Sequence, residues 1–265
     1  HGWMDMSASF QFMVDAFTEP WCVVAPDWRG FGLSDWSGTD AYWYADYLAD
    51  LDALLDRLVG EEPALIVGHS MGGNVACLYA GARPERVRGL VNLEGLGLLD
   101  TPPEEAPARY ARWMDEIKVN QARRDYGSFE ELAGRLMKEQ PRLAADQALF
   151  LARHQARLGD NGRVVVTSDP AHKRANPVLY RAAEVKACLS RITAPVLWVE
   201  GAQSEILARF DKAPGELVAR KQCIRDLTEC TIDEAAHMLH HHQPGAVASA
   251  VEGFLTGRGL RQKAG

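Results

Sequence analysis

The strand-to-helix junction around Gly68-His-Ser-Met-Gly72 constrains the fold of this chain more than any other feature. The residues before it, 64–67, form an apolar run typical of a buried strand, and the small residues of 71–82 favour a helix. A serine on so tight a turn adopts strained dihedrals, and the residues two positions away on either side must be almost free of side chains. The glycines at both ends of the motif satisfy this requirement. The junction therefore predicts Ser70 as a nucleophile at the amino end of a helix.

The rest of the chain alternates between strand-like and helix-like patterns. Short continuous apolar runs predict buried strands, and apolar residues at helical spacing predict amphipathic helices. The predicted strands are 21–25, 64–67, 87–93, 195–200 and, more weakly, 222–227, and the predicted helices are 42–58, 71–82 and 245–255. This alternation predicts an α/β fold whose mostly parallel central sheet carries helices on both faces.

Residues 98–191 follow a different pattern. They begin with a proline-rich stretch and continue with Glu-, Arg- and Ala-rich helical patterns at 110–117 and 129–138, with one strand candidate at 163–167. We interpret this segment as a helical cap inserted between two strands of the sheet. The predicted organisation is a first core part at 1–97, the cap at 98–191 and a second core part at 192–265.

Charge and cysteine usage exclude several classes of protein. With 29 Lys+Arg against 36 Asp+Glu, the formal net charge is −7, which disfavours nucleic-acid binding. The 5 cysteines are scattered and odd in number, which argues against a disulfide framework and favours a reducing, cytoplasmic location. No apolar run approaches the length of a membrane span, so none is expected. The sequence leaves open whether the chain forms a homodimer.

The chain resembles the α/β-hydrolase superfamily, in its esterase/lipase-like or serine hydrolase-like branch. The resemblance is carried by His1-Gly-Trp-Met-Asp5, Pro26-Asp-Trp-Arg-Gly-Phe-Gly-Leu-Ser34, Gly68-His-Ser-Met-Gly-Gly73 and Ala236-His-Met-Leu239. It implies an α/β-hydrolase fold in which a segment holding the first strands precedes the His-Gly pair. Since a bare sheet edge beside an active site would be a liability, we expect the sequence to be truncated there.

The same resemblance implies an oxyanion hole and a general base. Trp3, which follows the His-Gly pair, and Met71, which follows the nucleophile, are expected to donate backbone N–H groups to the oxyanion. His237 stands just before the last predicted helix, where the family places its base. The neighbouring histidines 240–242 compete for that role. We expect no metal site in them, because no carboxylate or cysteine stands at ligand spacing.

The position of the acid that orients the base differs from the family's usual pattern. The family usually places it three residues past Gly201, where this chain has Ser204, and a serine cannot balance the charge of an imidazolium. Some members carry the acid at the end of the preceding sheet strand, and Glu94 stands there. A glutamate at the end of an apolar strand is costly unless it is paired, so we assign it the orienting role. A salt bridge to the cap is the structural alternative for Glu94, and Glu205 and then Glu200 are the next candidates for the acid.

The predicted function is cleavage of a small carboxylic ester, or a related acyl compound, through an acyl-enzyme on Ser70. Dehalogenases and epoxide hydrolases of this fold use an aspartate nucleophile, so the serine argues against both. Neither a metal nor an organic cofactor is expected, and the expected partner is a small-molecule acyl substrate. Two alternatives stay open: a catalytically weak, receptor-like ligand-binding protein, and a cofactor-free haloperoxidase or lyase that uses the same triad.

Overall fold

A four-stranded parallel sheet forms the centre of the described residues, 1–119 and 124–260, of this computed structural model. The strands of the chain are β1 (Ala64–His69), β2 (Val87–Leu93), β3 (Asp125–Tyr126), β4 (Ala156–Leu158), β5 (Val164–Val166), β6 (Val196–Gly201) and β7 (Leu227–Ile232). The central sheet has the order β1-β2-β6-β7, and each neighbouring pair is parallel. Val67 pairs with Val91, and Val91 pairs with Leu197, so the carboxyl ends of these strands lie at one edge.

Helices cover both faces of this sheet. They are α1 (Gln11–Asp15), α2 (Tyr44–Val59), α3 (Met71–Ala82), α4 (Ala106–Glu116), α5 (Phe129–Glu139), α6 (Ala145–Gln155), α7 (Ala182–Leu189), α8 (Glu216–Gln222), α9 (Leu239–His242) and α10 (Pro244–Gly257). Alternate residues of β2 point to opposite faces, since Leu90 packs in the cluster under α2 and α3 while Val91 packs in the cluster under α10. The predicted α/β architecture is therefore present.

Residues between β2 and β6 build a smaller unit with its own apolar cluster. Helices α5 and α6 pack against an antiparallel sheet of order β3-β5-β4 around Leu132, Leu151 and Val164. Strand β5 lies within the candidate strand at 163–167, and α4 and α5 overlap the predicted helices. The unit thus combines helices with a small sheet, and the cap boundaries at 98 and 191 stay a prediction.

Two strand predictions are wrong. Residues 21–25 are extended but belong to no strand, and Val23 and Val24 are 44% and 59% exposed. An apolar run makes a strand only when a neighbouring backbone pairs with it, and sequence pattern carries no information about that neighbour. Residues 222–227 connect α8 to β7, which begins only at Leu227.

Among the described residues, no helix combines the length and the apolar character needed to cross a lipid bilayer.

Candidate active site

Ser70 lies between the last residue of β1 and the first residue of α3. Its backbone has φ 51° and ψ −113°, a conformation that non-glycine residues rarely adopt. Its N–H donates to the carbonyl of Leu93 on the neighbouring strand at 2.8 Å. A Cβ added at Gly68 would lie 2.6 Å from the backbone nitrogen of Gly73, so the turn has no room for a side chain there. The tight turn presents the Ser70 side chain at the carboxyl edge of the sheet, half-buried.

His237 and Glu94 converge on this serine from two other elements. The Nε2 atom of His237, which precedes α9, lies 3.0 Å from the Oγ atom of Ser70. Its Nδ1 atom lies 3.3 Å from Oε2 of Glu94 at the end of β2. The three side chains therefore form a hydrogen-bonded Ser-His-Glu chain, with the histidine ring 19% exposed and the carboxylate fully buried.

The Glu94 carboxylate is held by three donors. The backbone N–H of Gly201 donates to Oε1 at 2.6 Å, and the hydroxyl of Ser204 donates to Oε2 at 2.5 Å. The third donor is His237. Hydrogen bonds to the ionised form offset the cost of burying a charge, so this pocket suits a carboxylate. The backbone of Glu94 has φ 57°, and the Asn92 amide side chain bonds both the N–H and the C=O of Gly95 just beyond it.

The other two acid candidates do not bind the His237 ring. Glu205 is exposed and accepts a hydrogen bond from the backbone N–H of His237 at 3.3 Å, which does not orient the ring. Glu200 binds the Trp198 indole N–H and the Lys221 ammonium, each at 2.9 Å. Ser204 cannot be the acid but directly contacts it, a role that sequence reasoning missed.

The two expected oxyanion donors belong to segments that meet at the nucleophile. The carbonyl of His1 accepts from the N–H of Gly72 at 3.1 Å, which ties the first residues to the first turn of α3. A Cβ added at Gly2 would lie 3.4 Å from the Cβ of Ser70. Trp3 follows directly, and Met71 begins the helix, where backbone N–H groups of the first turn have no partner within the helix. Their donation to an oxyanion remains a proposal.

Of the remaining histidines near the site, His69, His240 and His241 are buried and His242 is half-buried. The Nδ1 atom of His241 lies 3.2 Å from the Gln140 side chain, and Nδ1 of His242 accepts from the backbone N–H of Ala236. Burial lowers the pKa of His241 to about 4, and it lowers the pKa of His69 and His240 well below the usual value. These rings are therefore neutral at pH 7.

A cavity of about 530 Å³ opens between the turn at 32–36 and the residues 153–157 at the end of α6. Met6, Asp27 and His154 contribute to its walls. None of the three triad side chains lines it, so it is not assigned as the acyl pocket.

Comparison with known proteins places the chain in a family. A family model described as "alpha/beta hydrolase fold" matches residues 1–244. A "Serine hydrolase-like protein" of Danio rerio is 28% identical over 264 residues, which cover 96% of this chain and 79% of that protein. The "2-(acetamidomethylene)succinate hydrolase" of Mesorhizobium japonicum is 24% identical over 256 residues, which cover 96% of this chain and 86% of that enzyme.

Solved structures show the same architecture. A "Thioesterase Domain From Curacin Biosynthetic Pathway" superposes with a TM-score of 0.82, covering 95% of this chain and 89% of that domain. Its sequence is 23% identical, so the likeness shows the fold alone.

Proposed function

The chain belongs to the α/β hydrolase fold family, and on that premise we propose that it is a serine hydrolase of a small carboxylic ester or related acyl compound. One observation carries the proposal: Ser70 Oγ lies 3.0 Å from Nε2 of His237, whose Nδ1 lies 3.3 Å from the buried Glu94. A nucleophile, a base and an orienting acid within hydrogen-bond reach constitute the machinery of acyl transfer.

The reaction begins when His237 takes the hydroxyl proton of Ser70 as the oxygen attacks the acyl carbon. A tetrahedral intermediate forms, and its oxyanion accepts hydrogen bonds from the backbone N–H groups of Trp3 and Met71. Each such donor contributes about 3–4 kcal/mol to the stabilisation of comparable transition states. The protonated His237 then gives its proton to the leaving alcohol or thiol, and the acyl group remains on Ser70.

Water completes the cycle by the same steps in reverse. His237 removes a proton from water, which attacks the acyl-enzyme, and the acid product leaves with Ser70 restored. Throughout, Glu94 accepts the Nδ1–H of His237, which fixes the tautomer and balances the imidazolium charge. Ser204 and the N–H of Gly201 keep this carboxylate in position.

The substrate class is proposed from the chemistry of the site and from the names of similar proteins. The Mesorhizobium enzyme is named as a succinate-derivative hydrolase, and the structurally similar domain is a thioesterase. Esters, thioesters and acyl amides all present a carbonyl carbon to a serine nucleophile, so a panel of the three classes is the appropriate screen.

Labelling with a fluorophosphonate tests the central claim. We expect the wild-type protein to lose activity and to carry one label on Ser70, while Ser70→Ala stays unlabelled and inactive on short p-nitrophenyl esters. Ser37→Ala is the matched control, because Ser37 is exposed, and it should label like the wild type. Equal labelling of wild type and Ser70→Ala would contradict the proposal.

The same variants, assayed on the substrate panel, test the receptor-like alternative. A receptor-like protein would leave wild type and Ser70→Ala equally inert on the whole panel, while a small ligand would still raise the melting temperature of both. The cytoplasmic location and the homodimer stay predictions.

A further inference from the structure

A second group of ionisable side chains lies beside the Ser-His-Glu chain and takes no part in the proposed mechanism. It consists of Asp5, His69 and His240, and a carboxylate oxygen or ring nitrogen of each lies within 4.8 Å of those of the other two. His69 and His240 are 1% and 0% exposed, and Asp5 is half-buried. Asp5 lies near the start of the chain and His240 near its end. No carboxylate stands at ligand spacing from the histidines in the sequence, but the fold brings the Asp5 carboxylate next to them.

The hydrogen bond of His69 fixes which nitrogen carries its proton. Its Nε2 atom lies 2.9 Å from the backbone carbonyl of His237, and a carbonyl can only accept. Nε2 therefore carries a hydrogen, and Nδ1 is the nitrogen left to bind a metal ion. A Cβ added at Gly2 would lie 3.0 Å from this Nδ1 atom, and the carbonyl of Gly2 accepts from the backbone N–H of Asp5. This nitrogen therefore lies on the side of the ring where Asp5 begins.

The same reasoning applies to His240. The hydroxyl of Ser9 donates to Oδ2 of Asp5 at 2.7 Å, which uses its one proton. Its oxygen lies 3.2 Å from Nε2 of His240, so this nitrogen must be the donor and Nδ1 carries the lone pair. Within the part of the chain that the structure describes, Nδ1 of neither His69 nor His240 has a hydrogen-bond partner. A buried acceptor without a partner is costly, and here two occur in neighbouring rings of the group that also holds the Asp5 carboxylate.

We propose that Asp5, His69 and His240 bind a divalent transition-metal ion of the zinc type. Two imidazole nitrogens and one carboxylate match the preference of Zn²⁺ and its neighbours, whereas Mg²⁺ and Ca²⁺ prefer oxygen ligands. Bonds of about 2.0–2.2 Å in a tetrahedral site place ligand atoms about 3.4 Å apart. The candidate ligand atoms lie within 4.8 Å of one another, so their separations must contract by up to about 1.4 Å when an ion binds.

This site adjoins the base without including it. The rings of His69 and His237 have centroids 4.8 Å apart, and Nε2–H of His69 holds the carbonyl of His237. In the proposed site His69 would bind the ion through Nδ1 while its Nε2–H donates to the His237 carbonyl. A coordinated histidine is commonly oriented by such a hydrogen bond from its other ring nitrogen. Binding itself does not depend on the proposed function, because it is measured without substrate.

Calorimetric titration of the EDTA-treated protein with Zn²⁺ tests the proposal. We expect saturable binding of one ion per chain, a rise in melting temperature that EDTA reverses, and no such response to Mg²⁺. Asp5→Asn keeps the shape and an acceptor for Ser9 but removes the charge, so its affinity should fall at least tenfold. The absence of saturable binding by the wild-type protein would overturn the proposal.

Matched variants distinguish Zn²⁺ binding at this site from binding at other histidine and aspartate side chains. Asp15→Asn and His154→Gln alter exposed residues and should bind Zn²⁺ as the wild type does. His237→Gln should also retain binding. If His237→Gln loses the ion while Asp5→Asn keeps it, the ion binds the catalytic histidine and the proposed site is wrong.

A spectroscopic measurement on the unaltered protein removes any dependence on the folding of variants. Co²⁺ bound by two imidazoles and a carboxylate in a four- or five-coordinate site should give intense visible absorption bands that Zn²⁺ displaces. Only the weak bands of six-coordinate aqueous Co²⁺ at saturating protein would contradict the assignment.

Discussion

We propose that the Glu94 side chain orients the base, and its amide analogue tests that role. Glu94→Gln retains the shape of the group but loses the charge that balances the His237 imidazolium. It also offers an N–H₂ where the pocket presents the donors of Gly201 and Ser204. We expect kcat to fall roughly 10³–10⁴-fold with little change in KM. Steady-state kinetics on the best ester found would measure this, and Glu205→Gln should stay within a few-fold of wild type.

The hydroxyl of Ser204 should make a smaller contribution. Ser204→Ala removes the 2.5 Å hydrogen bond to the carboxylate but leaves the Gly201 and His237 contacts. A hydrogen bond to a charged group contributes about 1.5–3 kcal/mol, and about 1.4 kcal/mol corresponds to a tenfold rate change. We therefore expect kcat to fall about 10- to 150-fold. Ser190→Ala, at an exposed serine, is the control, and an unchanged kcat in Ser204→Ala would show that the hydroxyl does not support the acid.

At the scale of the secondary-structure elements, the β1-to-α3 turn depends on glycine for space. In Gly68→Ala the new methyl group would press on the backbone of Gly72 and Gly73, which cannot move without moving the helix. Overpacking of this kind costs about 1–3 kcal/mol. Gly134→Ala makes the same change inside α5, where nothing lies within 4 Å of the new methyl group, and it should stabilise by about 0.5–1 kcal/mol.

Urea unfolding of both variants measures the free energy of unfolding, which should fall in Gly68→Ala and rise in Gly134→Ala. Gly68→Ala should also lose most activity while still folded, because a shift in the turn displaces Ser70 from His237. A stability equal to wild type in Gly68→Ala would mean that the turn has more room than its contacts indicate.

Local patterns predicted the elements that local interactions determine. Strand β2 and helix α3 begin and end where the sequence predicts, because continuous apolar residues and a glycine-rich turn mark them directly. The run at 21–25 has the same apolar character, yet it forms no strand, because strand formation needs a paired backbone. Cys22, within that run, is exposed.

The candidate site likewise combines residues that local patterns indicate with contacts that only the tertiary fold creates. Ser70, His237 and Glu94 each stand beside a recognisable element, so sequence reasoning could propose all three. Their meeting rests on strand order, which places the ends of β1, β2 and β6 at one edge. No spacing could link Asp5 to His240, since 234 intervening residues separate them and only the tertiary fold joins them.

At the scale of the whole molecule, His172 packs the segment between β2 and β6 against the sheet-bearing core. His172 stacks on Phe31 with ring centroids 3.7 Å apart and on Tyr42 with centroids 3.9 Å apart. Beside it, Asp169 accepts the Tyr42 hydroxyl at 2.7 Å. The contact is compact and largely apolar around an ionisable ring, so its strength should depend on pH.

Acid should weaken this contact. Burial lowers the pKa of His172 from 6.5 to about 4, and nearby Asp169 offsets part of that effect. Since the unfolded chain binds the proton more readily, the contribution of His172 is complete above pH 6.5 and is lost as pH falls towards 4. The slope approaches about 1.4 kcal/mol per pH unit, or about 3 kcal/mol over the interval.

The variant His172→Phe isolates this group, because phenylalanine retains the stacking and cannot titrate. It loses the 3.3 Å contact between Nδ1 and the Tyr47 hydroxyl, so it should be about 1 kcal/mol less stable at pH 7. Other buried histidines titrate equally in both proteins, so the difference between the two curves of unfolding free energy against pH belongs to His172. That difference should shrink and reverse sign between pH 6.5 and 4, whereas His154→Gln should follow the wild type. Parallel curves for wild type and His172→Phe would show that the ring is not buried in its neutral form, and that the segment is held to the core by other contacts.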